Sequence, residues 1–99
     1  MDDKRIAVIY GYYERDKIYI DNLNFFLSHG YTDDKNFMFV FVVNGESTVS
    51  FPTNENVKVI FRENSNYVFA QYNCGARWLE ENNIMCDYYV YINKKLIIT

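Results

Sequence analysis

Four positively charged side chains lie in segments that follow apolar runs of this sequence. Arg15 comes shortly after the first run, Arg62 directly after the third, and Lys94 and Lys95 just after the fourth. Arginine and lysine are the side chains that most often hold phosphate groups in proteins. Gathered at one place in a chain of net charge -3, they would favour a diphosphate. Solvated loop positions, partly neutralised by neighbouring carboxylates, are an equally good interpretation from the residues alone.

The same segments contain aromatic and amide side chains that suit a nucleotide. Tyr12 and Tyr13 could stack on a base, although an exposed or half-buried loop tyrosine is the simpler interpretation of either one. Asn44, Asn66 and Asn93 follow the second, third and fourth apolar runs. The residues therefore indicate binding of a phosphate-containing ligand as one hypothesis, with ordinary surface loops as the other.

Residue types that would support covalent or metal chemistry are sparse. His29 is the only histidine and is predicted at a helix C-terminus, where it favours the helix dipole. Gly11 stands without the second and third glycines of a dinucleotide-binding loop. Cys74 and Cys86 have neither metal-binding nor redox spacing, which indicates two reduced thiols. No nucleophile is paired with a base, so no catalytic residue is predicted.

Four short apolar strands and two helices would position the candidate residues. Strands and helices alternate except for one loop, which predicts parallel pairing with right-handed crossovers. The predicted fold is α/β, a Rossmann-like half-domain whose four-stranded, mainly parallel sheet has the order 3-2-1-4 with helices packed on it. Ligands of such sheets bind at the carboxyl ends of the strands. The predicted strands are Ile6–Tyr10, Phe37–Val43, Val57–Phe61 and Tyr88–Ile92, and the predicted helices are Lys17–His29 and Tyr67–Asn82.

Three residues define the predicted helices more closely. Asp16 is a suitable N-cap for the first helix, and Gly30 is expected to end it in the left-handed conformation. Gly75 inside the second helix costs about 1 kcal/mol relative to alanine, unless it lets the helix approach the sheet closely. The apolar residues Ala70, Cys74 and Trp78 are predicted on one face of the second helix, with Phe69, Ala76 and Leu79 close by.

Length, charge and hydropathy limit the class of protein. The 99 residues form one small domain, and the negative net charge argues against binding nucleic acid or an anionic membrane. No apolar segment is long enough to span a bilayer, and a polar segment follows Met1, so a cytoplasmic protein is expected. A sheet this small is expected to form a homodimer through an exposed edge strand or through the apolar tail at residues 96–99, unless the tail pairs with its own sheet.

Five segments resemble, in one order, the N-terminal half of a glycosyltransferase-like family of large DNA viruses and some eukaryotes. That family has the fold of A-type nucleotide-sugar transferases, so the resemblance implies a UDP-sugar as ligand. It also implies a manganese-like divalent metal as cofactor, and a viral protein of the host cytoplasm or the virion. The segments are Tyr-Gly-Tyr-Tyr-Glu-Arg-Asp (10–16), Asn-Leu-Asn-Phe-Phe-Leu-Ser-His-Gly-Tyr (22–31), Val-Val-Asn-Gly-Glu (42–46), Val-Lys-Val-Ile-Phe-Arg-Glu-Asn (57–64) and Asp-Tyr-Tyr-Val-Tyr-Ile-Asn (87–93).

The chain departs from the family pattern at two places. Where the family reads Asn-x-Gly-Tyr-Asp-Phe-Gly-Ala, residues 64–71 keep Tyr67 but have Val68 in place of the acidic residue. Where the fourth strand of the family ends in Asn-Ser-Asp or Asn-Ser-Ser, this chain has Asn93, Lys94 and Lys95. A divalent ion prefers carboxylate oxygens, and Lys95 would repel it. The metal site therefore looks lost, and no cofactor is predicted.

The sequence thus predicts that residues 1–99 form a truncated glycosyltransferase-like domain without catalytic activity that retains weak nucleotide-sugar binding. One alternative is a structural or self-associating module with no ligand. The other is a metal-independent transferase in which Lys94 and Lys95 replace the charge of the metal. The candidate nucleotide-sugar-binding residues are Tyr12, Tyr13, Arg15, Asn44, Arg62, Asn66, Tyr67, Asn93, Lys94 and Lys95.

Overall fold

The computed structural model describes residues 4–63, 68–92 and 97–98. In these residues the chain forms one sheet of order β3-β2-β1-β4-β5, with β1 to β4 parallel and β5 antiparallel to β4. The predicted four-stranded parallel sheet of order 3-2-1-4 is confirmed, and the short β5 shows the tail pairing with its own sheet. The elements are β1 (Ile6–Tyr13), α1 (Lys17–His29), β2 (Phe37–Asn44), β3 (Val57–Arg62), α2 (Val68–Glu81), β4 (Tyr88–Ile92) and β5 (Ile97–Ile98).

The two faces of the sheet carry separate apolar clusters because the central strands are apolar at every position. Side chains of a strand alternate between faces, so a continuous apolar run is buried on both. The cluster on the α1 face contains Val8, Tyr10, Tyr12, Leu23, Phe39, Phe41 and Val43. The cluster on the α2 face contains Ala7, Ile9, Met38, Val40, Val42, Leu79 and Tyr91.

Helix α1 begins and ends where the sequence predicts. The Asp16 carboxylate accepts hydrogen bonds from the backbone N–H groups of Ile18 and Tyr19, which caps the first turn. The prediction of a left-handed Gly30 is wrong, since its φ is -106° and its N–H donates to the Phe26 carbonyl. A side chain there is excluded by space, because a Cβ would lie 2.8 Å from Cδ1 of Phe26.

Helix α2 packs closely against β1 and β2. A Cβ on Gly75 would lie 2.7 Å from Cγ2 of Ile9, so the glycine allows the close approach that the sequence predicted. Between residues 70 and 81 of this helix, the fully buried positions are Gln71, Gly75 and Leu79, spaced by four residues. Of the predicted apolar face, Leu79 is in the core cluster, and Cys74, Ala76 and Trp78 are partly buried against that cluster. Ala70, Cys74 and Trp78 also line a groove beside β3.

The segment between β2 and β3 covers part of the α1 face without helix or strand. Gly45, at φ 81°, turns the chain out of β2, but β3 is parallel to β2, so the Asn-Gly pair makes no hairpin. The Phe51 ring lies 5.1 Å from that of Phe41. At its far end the side chain of the buried Asn56 accepts a hydrogen bond from the Tyr31 hydroxyl and donates to the carbonyls of residues 32 and 34. Among the described residues, no helix has the length and apolar character of a membrane span.

Candidate functional site

Strand order reverses between β1 and β4. In the described residues their pairing ends at Tyr10 and Ile92. β1 nevertheless continues beside β2 until Tyr13 pairs with Asn44. Within the described residues, the last three residues of β1 pair with β2 alone. This is the position at which open parallel sheets bind their ligands.

Gln71 of helix α2 lies against the last residues of β1 and β2. Its side chain is buried, and its Nε2 donates to the carbonyl oxygens of Tyr12 at 3.1 Å and Val42 at 3.3 Å. The Tyr91 hydroxyl donates weakly to its Oε1 at 3.5 Å. A Cβ on Gly11 would lie 2.6 Å from that oxygen, so the glycine makes room for the amide. Gln71 thus holds the end of β1 to the end of β2.

Sequence reasoning did not identify Gln71, because a glutamine on a helix is ordinarily exposed. The available signal was its spacing, four residues before Gly75 and eight before Leu79 on what proves to be the buried face. A glycine that permits close approach marks the helix face that contacts the sheet.

Tyr12 is buried with its ring in the α1-side cluster, so it is not placed to stack on a base. Its hydroxyl donates to Oε1 of Glu14 at 2.9 Å. Burial, together with that carboxylate, raises the pKa of Tyr12 well above its ordinary value. The phenol therefore remains protonated and serves as a hydrogen-bond donor to Glu14.

Glu14 connects the end of β1 to the segment that follows β2. Its carboxylate accepts hydrogen bonds from the Thr48 N–H and hydroxyl and from the Ser47 hydroxyl, at 2.8–3.0 Å. Partial burial alone would raise the pKa of Glu14, but hydrogen bonds from Thr48, Tyr12 and Ser47 outweigh it, and the pKa is lowered. The sequence suggested only a loop charge here. Partners more than thirty residues away left no local signal.

Three of the predicted site residues lie in one row across three strands. Tyr13 pairs with Asn44, and Asn44 pairs with Arg62. The row faces the α2 side, because Gly11 and Val42, two positions earlier in their strands, face that helix. Tyr13 is exposed, Arg62 is half-buried and Asn44 is buried. This row is called the carboxyl-edge row below.

The remaining predicted residues are divided between the loop after β1 and segments that are not described. Arg15 is exposed in that loop, two residues beyond Tyr13. The predictions for Asn66, Tyr67, Asn93, Lys94 and Lys95 fall outside the described residues.

Three features bear on cofactors and phosphates. Within the described residues, no group of three or more histidine, cysteine or acidic side chains could hold a metal ion. Cys74 and Cys86 are free, and burial raises the pKa of the Cys86 thiol. The first turn of α1 is capped by Asp16, which occupies the N–H groups of Ile18 and Tyr19. A phosphate at that helix end would compete with a carboxylate already in place.

Comparisons with protein-family models, curated proteins and solved structures find no match to this chain. The class defined by the fold is an α/β protein with a Rossmann-like parallel sheet. The resemblance to a glycosyltransferase-like family remains a prediction.

Proposed function

We propose that the chain binds a nucleotide sugar at the carboxyl edge of its sheet and does not transfer the sugar. The observation that carries the proposal is the carboxyl-edge row of Tyr13, Asn44 and Arg62, next to the point where strand order reverses. Neighbouring strands lie about 4.8 Å apart. An exposed aromatic ring and a guanidinium group are therefore within the span of a single ligand.

Each group has a defined part in this proposal. The Tyr13 ring stacks on the base, an interaction that typically contributes about 1–3 kcal/mol. The guanidinium groups of Arg15 and Arg62 bind the diphosphate through charge-assisted hydrogen bonds. Because Arg15 extends from the exposed loop, it is the more adaptable of the two.

Binding without transfer is supported by Glu14, the carboxylate next to Tyr13 of the row, because it is already engaged. A general base must accept a proton from the acceptor hydroxyl, and it does so best with a pKa near neutrality. Glu14 instead accepts hydrogen bonds from Tyr12, Ser47 and Thr48, and its pKa is lowered. It is therefore a weak base whose lone pairs are occupied.

Calorimetric titration with UDP and UDP-glucose, with and without manganese, tests the proposal. Tyr13→Ala should raise the Kd about tenfold, the equivalent of one stacked base. Tyr89→Ala is the matched control, since both tyrosines are 41% exposed but Tyr89 lies near the amino end of β4. Absence of heat with millimolar UDP, or equal losses in both variants, would contradict the proposal.

A second pair of variants examines the phosphate. Arg15→Gln should weaken the binding of UDP more than the binding of uridine, because only UDP carries the diphosphate. Arg5→Gln is the control, since Arg5 is exposed at the opposite edge of the sheet and uses its backbone to bind Asp87. If Arg15→Gln and Arg5→Gln weaken the binding of UDP equally, the effect comes from the change in net charge and not from a specific phosphate contact.

Self-association without a ligand is a second candidate, favoured by three exposed apolar side chains close together in the chain. Met85 precedes β4, and Tyr88 and Tyr89 are its first two residues; the three side chains are 81%, 55% and 41% exposed. Sedimentation velocity over a wide concentration range tests this candidate. Tyr88→Lys should shift a dimer toward monomer, whereas Phe25→Lys, on the exposed side of α1, should not. A wild-type chain that is monomeric at every concentration would exclude it.

A further inference from the structure

A groove of about 760 Å³ runs between strand β3 and helix α2. The helix contributes Ala70, Cys74 and Trp78, which share one face, and the strand contributes Ile60. The groove therefore has an apolar floor along its length. Its charged lining consists of Lys58, Arg62, Arg77 and Glu81.

The electrostatics of this groove favour an anionic occupant. Three cations and one carboxylate line it, although the whole chain has a net charge of -3. The Lys58 ammonium lies 5.6 Å from the centre of the Trp78 ring and so reaches across the floor. Nη1 of Arg62 is buried and has no hydrogen-bond partner among the described residues. Because that nitrogen has almost no solvent-accessible surface, a carboxylate in the groove would reach the guanidinium group through its other nitrogens.

Strand β3 also presents an unpaired backbone edge beside the groove. Within the described part of the chain, β3 pairs only with β2. The carbonyls of Asn56 and Arg62 accept hydrogen bonds from the N–H groups of Phe39 and Gly45, on the β2 side. Because the backbone groups of a strand alternate in direction, Val59 and Phe61 direct their N–H and C=O groups to the free edge.

We propose that this groove binds an acidic, extended peptide segment that adds to the sheet as a strand beside β3. Strand addition uses the free backbone groups of Val59 and Phe61, and alternate side chains of the peptide enter the groove. Two carboxylates then lie among the cations of the groove, Lys58, Arg62 and Arg77. An apolar side chain between the two carboxylates contacts Trp78. The site shares Arg62 with the proposed nucleotide site but differs in kind, since it binds an extended backbone.

A second copy of this chain is a poorer occupant of the same edge. In antiparallel β3–β3 pairing centred on Ile60, Lys58 of one copy would lie opposite Arg62 of the other. Like charges directly opposite each other in a sheet are destabilising, and lysine on an edge strand opposes edge-to-edge pairing.

Fluorescence anisotropy with a fluorescein-labelled peptide, Ser-Glu-Thr-Val-Thr-Glu-Ser, tests the proposal on the wild-type chain. Its order of side chains is the same in both directions, so it can add parallel or antiparallel. The peptide should bind, and binding should weaken as sodium chloride is raised. The same peptide with lysine in place of each glutamate should not bind. Equal binding of the two peptides would overturn the proposal.

Backbone pairing is tested with two forms of the acidic peptide that carry methyl groups on backbone nitrogens. One form is methylated at the two threonines, and the other at the two glutamates and the valine. The form whose methyl groups face β3 should lose affinity about tenfold, since two hydrogen bonds of about 0.7 kcal/mol each are lost. The identity of that form gives the strand direction. If neither methylated form is weakened, strand addition is wrong even if the acidic side chains bind.

Side-chain variants locate the peptide on the protein. Lys58→Met and Arg77→Met should each lower affinity about fivefold, which corresponds to about 1 kcal/mol for an exposed ion pair. Lys35→Met is the matched control, since Lys35 is exposed and does not line the groove. Thermal unfolding of each variant confirms that it is folded. Equal effects of all three substitutions would overturn the assignment to this groove.

Discussion

Replacing Gln71 with methionine is expected to lower the free energy of unfolding by about 2–3 kcal/mol. Methionine matches the length of glutamine but cannot donate, so the carbonyls of Tyr12 and Val42 lose the bonds at 3.1 and 3.3 Å. Both carbonyls also lie in the ladder between β1 and β2. Each loss therefore costs the net value of one hydrogen bond, about 1–1.5 kcal/mol. The contact with Tyr91 is too long to add much.

Urea denaturation, followed by circular dichroism and by fluorescence of Trp78, measures the effect. With a slope of about 2 kcal/mol per molar urea, the midpoint should fall by about 1 M. Asn73→Met is the matched control, because it places the same side chain on the exposed side of α2, where substitutions change stability by about 0.5 kcal/mol or less. If Gln71→Met and Asn73→Met have the same midpoint, Gln71 does not hold the ends of β1 and β2 together.

Further substitutions test other parts of the fold. Gly75→Ala should destabilise the protein by about 1–2 kcal/mol, measured by urea denaturation, because the new Cβ would lie 2.7 Å from Cγ2 of Ile9. This loss should outweigh the better helix propensity of alanine. A gain in stability would contradict the close packing of α2. Gly45→Ala should cost about 1 kcal/mol in the same assay through its φ of 81° alone, since nothing lies within 4 Å of its Cβ position. The pKa of Glu14 is lowered in the folded protein, so the hydrogen bonds of its carboxylate to Thr48 stabilise the fold fully above the ordinary pKa of 4.5. This stabilisation is lost as the pH falls through the lowered pKa of the folded protein. Glu14→Gln should be less stable than the wild type at neutral pH, and its free energy of unfolding should fall less steeply as the pH is lowered. Parallel curves of unfolding free energy against pH for the two proteins would contradict this prediction.

Local signals in the sequence were sufficient for the strands, the helices and the sheet order. Continuous apolar runs identified β2 and β4, and Asp16 correctly marked the start of α1. The alternation of strands with helices determined parallel pairing, because a crossover connection leaves few other topologies. The predicted β1 ends at Tyr10, because a glycine after an apolar run is typical of the end of a strand, but the strand continues for three more residues to Tyr13. Gly11 is instead a strand residue that makes room for Gln71.

The polar contacts of the site could not be predicted in the same way. Gln71 bonds to Tyr12 across 59 residues, and Glu14 bonds to Thr48 across 34. Such pairs depend on how the elements pack, and no periodicity records them. For the same reason Tyr12 and Tyr13, adjacent in the sequence, were indistinguishable as stacking candidates. Strand alternation buries the first in the core and exposes the second.

The segment between β2 and β3 has a consequence for susceptibility to proteases. It has no helix or strand, yet Glu14 holds its beginning, Phe51 contacts Phe41 in its middle, and Asn56 fixes its end. A protease must draw an extended stretch of substrate into its cleft before it can cut, and three separate anchorages oppose that movement. Cleavage within this segment should therefore require opening of the surrounding structure, as it would for a helix, and a nick introduced there would leave both ends attached to the domain.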